Sequence, residues 1–300
     1  MGRINRCVEL LARGQPVYYD RVAVTDLGYE AGRDLSGTWA DFLRIEFEHQ
    51  VLDGLELYEF MRGLREAGPT RSGHPTPTVL CTLPATGMSE EEVRVNAWQI
   101  RHILTAGVHG LYLSHVREAG AVRAFVEAVR FPHQKIGVGD ALGPGTRGHG
   151  GEERAAGIWG LDRIEYVRRA DPWPLNPEGE LMLGIKVEDP AGLNQAEMAM
   201  ATPGVTFGEW GPGDMGMFLN HPEWKDPPYS PEMENAWQTV KRACDKAGIA
   251  WLCTWDDPAL TPAEKAEHLI NNVGATLLAG ADGENMASAG RKLTNRQMPI

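Results

Sequence analysis

Apolar and polar positions follow two rhythms along this chain. Short runs rich in Val, Ile, Leu and aromatic residues alternate with longer stretches whose apolar residues recur at three and four. The short runs predict strands at Pro16–Val24, Phe42–Phe47, Thr78–Leu83, Gly110–Leu113, Leu181–Val187, Val205–Glu209, Ala250–Thr254 and Thr276–Ala279. The longer stretches predict helices at Asn5–Arg13, Leu55–Ala67, from Ser89 to Ala106, and at Ala119–Arg130, Gly192–Ala201, Pro231–Ala247 and Pro262–Val273. Ser89 with Glu92 reads as a capping box, and Gly14 as the stop of the first helix. Thr25–Thr38 reads as a loop or lid. Phe131–Asp171 reads as a long glycine-bearing connection, of a length that usually carries function. The polar C-terminal segment 281–300 has no clear assignment.

Strands alternating with helices predict parallel pairing, and about eight of them predict a (β/α)8 TIM barrel, one domain over residues 1–300. A doubly wound sheet is the alternative. Against it, no Gly-x-Gly-x-x-Gly follows a first strand; Gly137-Val138-Gly139 lacks the third glycine. Three hundred residues bury roughly three quarters of the unfolded surface, so no disulfide or zinc staple is needed. The four cysteines, Cys7, Cys81, Cys244 and Cys253, are scattered and read as reduced thiols. A net charge of −12 without a basic patch argues against nucleic acid. No stretch reaches the roughly 20 apolar residues of a membrane span, and no signal-peptide core is visible, so a cytoplasmic location is expected.

In a barrel the chemistry sits where strands end. The second run ends in Glu46-Phe47-Glu48-His49, the fifth in Glu188-Asp189-Pro190, and the sixth in Glu209-Trp210-Gly211-Pro212-Gly213-Asp214. Glu188 and Asp214 are 26 residues apart, about one βα unit, which predicts neighbouring strand ends. Two converging carboxylates repel, and a hard divalent cation such as Mg2+ or Mn2+ relieves that repulsion. Ordinary solvated acids are the alternative. Gly211-Pro212-Gly213 predicts a tight turn whose bare N–H groups suit a carboxylate. His49 is a candidate proton shuttle; His102, His109, His115, His149 and His221 have no constellation of their own. Trp210, Trp251 and Trp255 either wall the barrel mouth or pack in the core.

Val187-Glu188-Asp189-Pro190-Ala191-Gly192, Pro203-Gly204-Val205 and Gly211-Pro212-Gly213-Asp214-Met215-Gly216, with Glu46-Phe47-Glu48-His49 upstream, resemble the HpcH/HpaI aldolase and citrate lyase family, the metal-dependent class II 2-oxo acid aldolases. Ala106–Gly110 and Val129–Pro132 resemble its middle elements, and the likeness covers roughly residues 3 to 280. The resemblance implies a (β/α)8 barrel in a homo-oligomer, hexameric or trimer-based. It implies a divalent metal (Mg2+ or Mn2+, or Co2+) on Glu188 and Asp214. It further implies a small-molecule 2-oxo acid and an aldehyde as partners, the acid lying on Trp210, Gly211, Pro212 and Gly213. His49 is the implied acid/base, supported by Glu48. Two positions depart from the pattern: Thr82 stands where the family carries arginine, and Thr105 where it often carries aspartate. Arg44, Arg147 and His115 are the candidate replacements. A decarboxylase or lyase for a larger or aromatic substrate, with Trp210 and Trp255 against the ring, and a non-catalytic organic-acid binder are the alternatives to an aldolase.

Overall fold

Once short apolar runs pair side by side, alternate residues must face opposite sides of the sheet. The computed structural model, which describes residues 2–278, 280 and 282–299, shows this as a closed barrel. Its strands are β1 (Val17–Val22), β2 (Phe42–Ile45), β3 (Thr78–Thr86), β4 (Gly110–Ser114), β5 (Met182–Val187), β6 (Phe207–Trp210), β7 (Ala250–Cys253) and β8 (Leu277–Leu278). All pair in parallel in chain order, and β8 returns to β1. The expected barrel is therefore the observed fold. The last strand was expected to reach Ala279, which lies outside the described residues.

The inward residues Tyr19, Phe42, Leu80, Tyr112, Met182, Phe207, Leu252 and Leu277 form one buried cluster with Cys7, Val8 and Leu10 of the first helix, Arg6–Ala12. Burying each of these larger side chains contributes about 1.5–3 kcal/mol. That helix, capped by the Asn5 side chain, closes the end where the strands begin: Cys7 donates its backbone N–H to Thr78 Oγ1 at 3.4 Å. The outward residues pack under the helices. Toward the other end the same inward rows change character. Tyr19 is followed two residues on by Arg21, Phe42 by Arg44, Phe207 by Glu209, and Gly184 by Lys186 and then Glu188. The barrel is thus apolar below and charged above.

Several connections differ from expectation. The stretch Thr25–Thr38 holds a helix, Tyr29–Leu35, packed on Gly54–Ala67. The two backbones approach so closely that a Cβ on Gly32 would lie 2.1 Å from Phe60 O. The glycine that argues against a helix is what lets this one dock. The expected single helix from Ser89 to Ala106 breaks at Asn96 into Glu90–Val95 and Ala97–Thr105. Ser89 Oγ caps it by accepting from Glu92 N at 3.1 Å. Glu92 instead turns to Thr86, accepting from its N and Oγ1, so only half the box forms. Residues 131–171 contain helices Glu152–Trp159 and Arg163–Arg169, and the polar C-terminal segment contains a helix, Gly283–Leu293. No described helix is long and apolar enough to cross a membrane.

Candidate active site

The charged ends of the inward rows surround a cavity of about 730 Å3. Arg21, Arg44, Glu48, His49, Lys186, Glu209, Gly211, Pro212, Gly213 and Asp214 all line it. Most of the expected site residues therefore meet in one place. Trp210 does not. It follows Glu209 on β6 and so faces the helix layer, its ring 5.2 Å from that of Tyr229 in a separate cavity with Trp251 and Trp255. These tryptophans wall a space outside the barrel rather than its mouth.

Glu188 is fully buried at the end of β5. Its Oε1 accepts the backbone N–H of His115 at 2.8 Å and lies 3.5 Å from His115 Nδ1. His115 Nε2 stands 3.1 Å from Glu48 Oε1, and Ser114 Oγ donates to Glu48 Oε2 at 2.6 Å. Glu48, His115 and Glu188 thus offer ligand atoms all within 4.8 Å of one another. His115, with a positive φ of 50°, was a histidine without a constellation in the sequence; the fold supplies one.

Lys186 was not singled out by the sequence. It sits two residues before Glu188 on the same inward face. Its ammonium contacts Glu188 Oε2 and lies 3.7 Å from Asp214 Oδ2 and 3.9 Å from Glu48 Oε2. Asp214 therefore reaches the cluster from the far side of this lysine, in the first turn of a helix at Pro212–Phe218. Gly211 makes room for both: a Cβ there would lie 2.3 Å from Glu188 Oε2 and 2.6 Å from Lys186 Cε. The expected turn is therefore a helix start packed against the acid.

The environments split the acids. Burial raises Glu188 to about 7, only partly opposed by the Lys186 charge. Burial acts upward on Glu48 too, but His115 and Lys186 outweigh it and hold Glu48 at about 2. Glu48 in turn raises His115 by hydrogen bonding, favouring the imidazolium. Burial likewise raises Glu209 to about 7, against Arg44, whose Nη1 is 3.5 Å from Glu209 Oε2. His49 is the exposed histidine of the site, 59 % accessible, with Nε2 3.9 Å from Glu48 Oε1.

Thr82 Oγ1 accepts the backbone N–H of Phe47 at 2.8 Å, so it holds the strand end that carries Glu48. Of the candidate replacements for the missing arginine, Arg44 lines the cavity. Its guanidinium lies over the Tyr112 ring at 4.7 Å. Arg147 lies elsewhere, between Phe131 and Tyr166.

Three buried polar atoms of the cluster make no hydrogen bond among the described residues: Glu48 Oε1, His115 Nδ1 and Glu188 Oε2. Both oxygens nonetheless face cations, Glu188 Oε2 the Lys186 ammonium and Glu48 Oε1 the His115 ring, and three acids gathered around these two groups fit a hard divalent cation.

No family model matches the chain. A hydroxypyruvate/pyruvate aldolase of Paraburkholderia phytofirmans is 30% identical over 196 residues, 64% of this chain and 68% of that protein. The chain belongs to the HpcH/HpaI aldolase and citrate lyase family. It is an enzyme of the aldolase and lyase type. Among solved structures, a member from Burkholderia cenocepacia superposes with a TM-score of 0.69 at 23% identity, covering 97% of this chain and 98% of that one. A citrate lyase β subunit from M. tuberculosis, solved with oxaloacetate and magnesium, gives 0.53 at 14% identity over 93% and 98%. These last two likenesses show the shared barrel.

Proposed function

We propose that this enzyme cleaves or forms a hydroxy-2-oxo acid through a pyruvate-type enolate, using a divalent cation at Glu188 and Asp214. The observation that carries this reading is the gathering of Glu48, His115 and Glu188, with ligand atoms all within 4.8 Å, beside a cavity lined by Glu48, Asp214 and the solvent-exposed His49. When bound, the cation supplies Lewis-acid stabilisation of the oxygen on which enolate charge develops. The chain's own groups do the rest. Backbone N–H groups of Gly213 and Asp214 lie in the first turn of their helix, where no intrahelical carbonyl serves them, and they suit the substrate carboxylate. Arg44 and Lys186 add fixed positive charge where arginine is missing at position 82. His49, in contact with water and beside Glu48, takes the hydroxyl proton of the aldol and returns one to the enolate. Mg2+ and Mn2+ suit this oxygen-rich set best. The aldehyde partner, a homo-oligomeric state and a cytoplasmic location belong to the same proposal.

The test is loss of the pyruvate methyl proton signal in D2O. Magnesium-dependent exchange by the wild type, abolished in Glu188→Gln, is the expected result. Exchange that is unchanged in Glu188→Gln would remove the assignment.

A further inference from the structure

The glycine-rich loop 146–151 and the altered position Thr105 meet away from the barrel mouth. Helix Ala97–Thr105, the start of helix Gly54–Ala67 and helix Glu152–Trp159 form a groove there. It consists of two adjoining cavities of about 620 and 310 Å3 that share Arg101, Thr105 and Gly150. The larger adds His102 and Arg154, the smaller Arg147. No carboxylate lines either one.

Three of these residues are arginines that form no ion pair among the described residues, in a chain of net charge −12. Arg147 is 4% exposed. Its Nη2 donates to Tyr166 Oη at 2.8 Å, while its buried Nη1 hydrogen bonds to nothing among the described residues. Keeping a guanidinium buried with an idle donor costs free energy unless a further partner serves it. The acid on this loop, Glu152, is already engaged. It is buried, accepts from Gly150 N at 2.6 Å, contacts His149 Nδ1 and lies 3.4 Å from Arg163 Nη1. The loop is also fixed in place. Gly151 has a φ of +82°, and a Cβ there would lie 2.6 Å from Thr105 Oγ1. Thr105 is neutral, and among the described residues the only charged side chains on the groove are basic.

We infer that this groove binds a phosphate group, free or carried on an organic molecule. Guanidinium forks match phosphate oxygens in bidentate fashion, and a dianion answers more of this charge than a single carboxylate. The phosphate is placed where the two cavities meet, on the shared Arg101, between Arg147 of the smaller and Arg154 of the larger. The larger, walled also by Leu55 and Tyr58, offers apolar surface to an organic body.

The test is calorimetric titration of the full-length protein with inorganic phosphate and with glycerol phosphate, with oligomeric state measured in parallel. Wild type is expected to bind at least one of them. Arg101→Ala and Arg154→Ala each weaken that binding about tenfold or more, while Glu188→Gln leaves it unchanged. Equal binding of the two probes identifies free phosphate, and tighter glycerol phosphate a phosphorylated metabolite. Both residues are exposed, so the variants fold. The inference is overturned if neither probe binds, if the double variant binds as well as wild type, or if Glu188→Gln abolishes binding. It is equally overturned if the double variant changes only the oligomeric state, which would make the groove a contact between copies.

Discussion

The two ends of the barrel each hold a buried charge cluster, and the clusters are built on opposite terms. At the end where strands begin, Asp41 is fully buried among arginines. It accepts from Arg296 Nη1 at 2.6 Å, from Arg296 Nη2 at 2.5 Å, from Arg291 at 3.2 Å and from the Tyr18 backbone at 3.0 Å. Burial acts upward on its pKa, yet these partners hold it below the usual carboxylate range. At the other end Glu188 is equally buried, has one lysine against its Oε2, and rises to about 7. The first cluster ties the C-terminal segment to the barrel and neutralises Asp41 with three arginines, Arg6, Arg291 and Arg296, each of which keeps an unbonded Nε among the described residues. The second has the opposite balance, with Glu48, Glu188 and Asp214 around one lysine and one histidine, and this excess of acids is what supports the proposed cation there.

Mutation separates the two. Glu188→Gln should lower turnover about 10^3-fold while costing less stability than Asp41→Asn, because it leaves one cation, Lys186, which still has Glu48 and Asp214 nearby, and removes an acid that burial disfavours. Equal losses of activity and stability would erase the distinction. Asp41→Asn should do the reverse. It should cost about 3–5 kcal/mol of stability in denaturant titrations, by stranding Arg6, Arg291 and Arg296, while turnover per folded molecule persists. Lys186→Met sharpens the upper cluster alone. Without the ammonium among three carboxylates, Mn2+ affinity read by electron paramagnetic resonance should rise about tenfold or more, whereas turnover falls. A weaker Mn2+ affinity would make the lysine part of the metal site rather than its rival.

Per pH unit, a smaller effect concerns the lower half. Burial, aided by the charge of His74, lowers His109 to about 3, and its Nδ1 accepts from Val79 N at 3.1 Å. The unfolded chain takes up this proton near pH 6.5 and the folded one only near pH 3. The stabilisation is therefore complete above about 6.5 and is lost as pH falls toward 3, by about 1.4 kcal/mol per unit. His109→Gln should remove that much of the slope in acid unfolding curves; an unchanged slope would place the acid sensitivity elsewhere.

Much of the upper cluster was legible because acids directly after apolar runs mark strand ends, as at Glu48, Glu188 and Asp214. Lys186 was not, because it lies inside an apolar run, and only the two-residue alternation of a paired strand shows that it shares the face of Glu188. The same alternation corrects Trp210, which lies one residue beyond inward-facing Glu209 and so on the opposite side. His115 became visible only when β4 and β5 paired and brought its backbone N–H to Glu188. The helix at Tyr29–Leu35 was hidden by Gly32, whose reason lies in another helix.

Central to the proposed function is a cation held by Glu188 and Asp214 in the upper cluster. Titrating Mn2+ into wild type and into the Glu188→Gln, Asp214→Asn double variant, and following the free-ion resonance, tests it most directly. The account predicts one tight site per chain in the wild type and none in the variant; undiminished binding in the variant would contradict it.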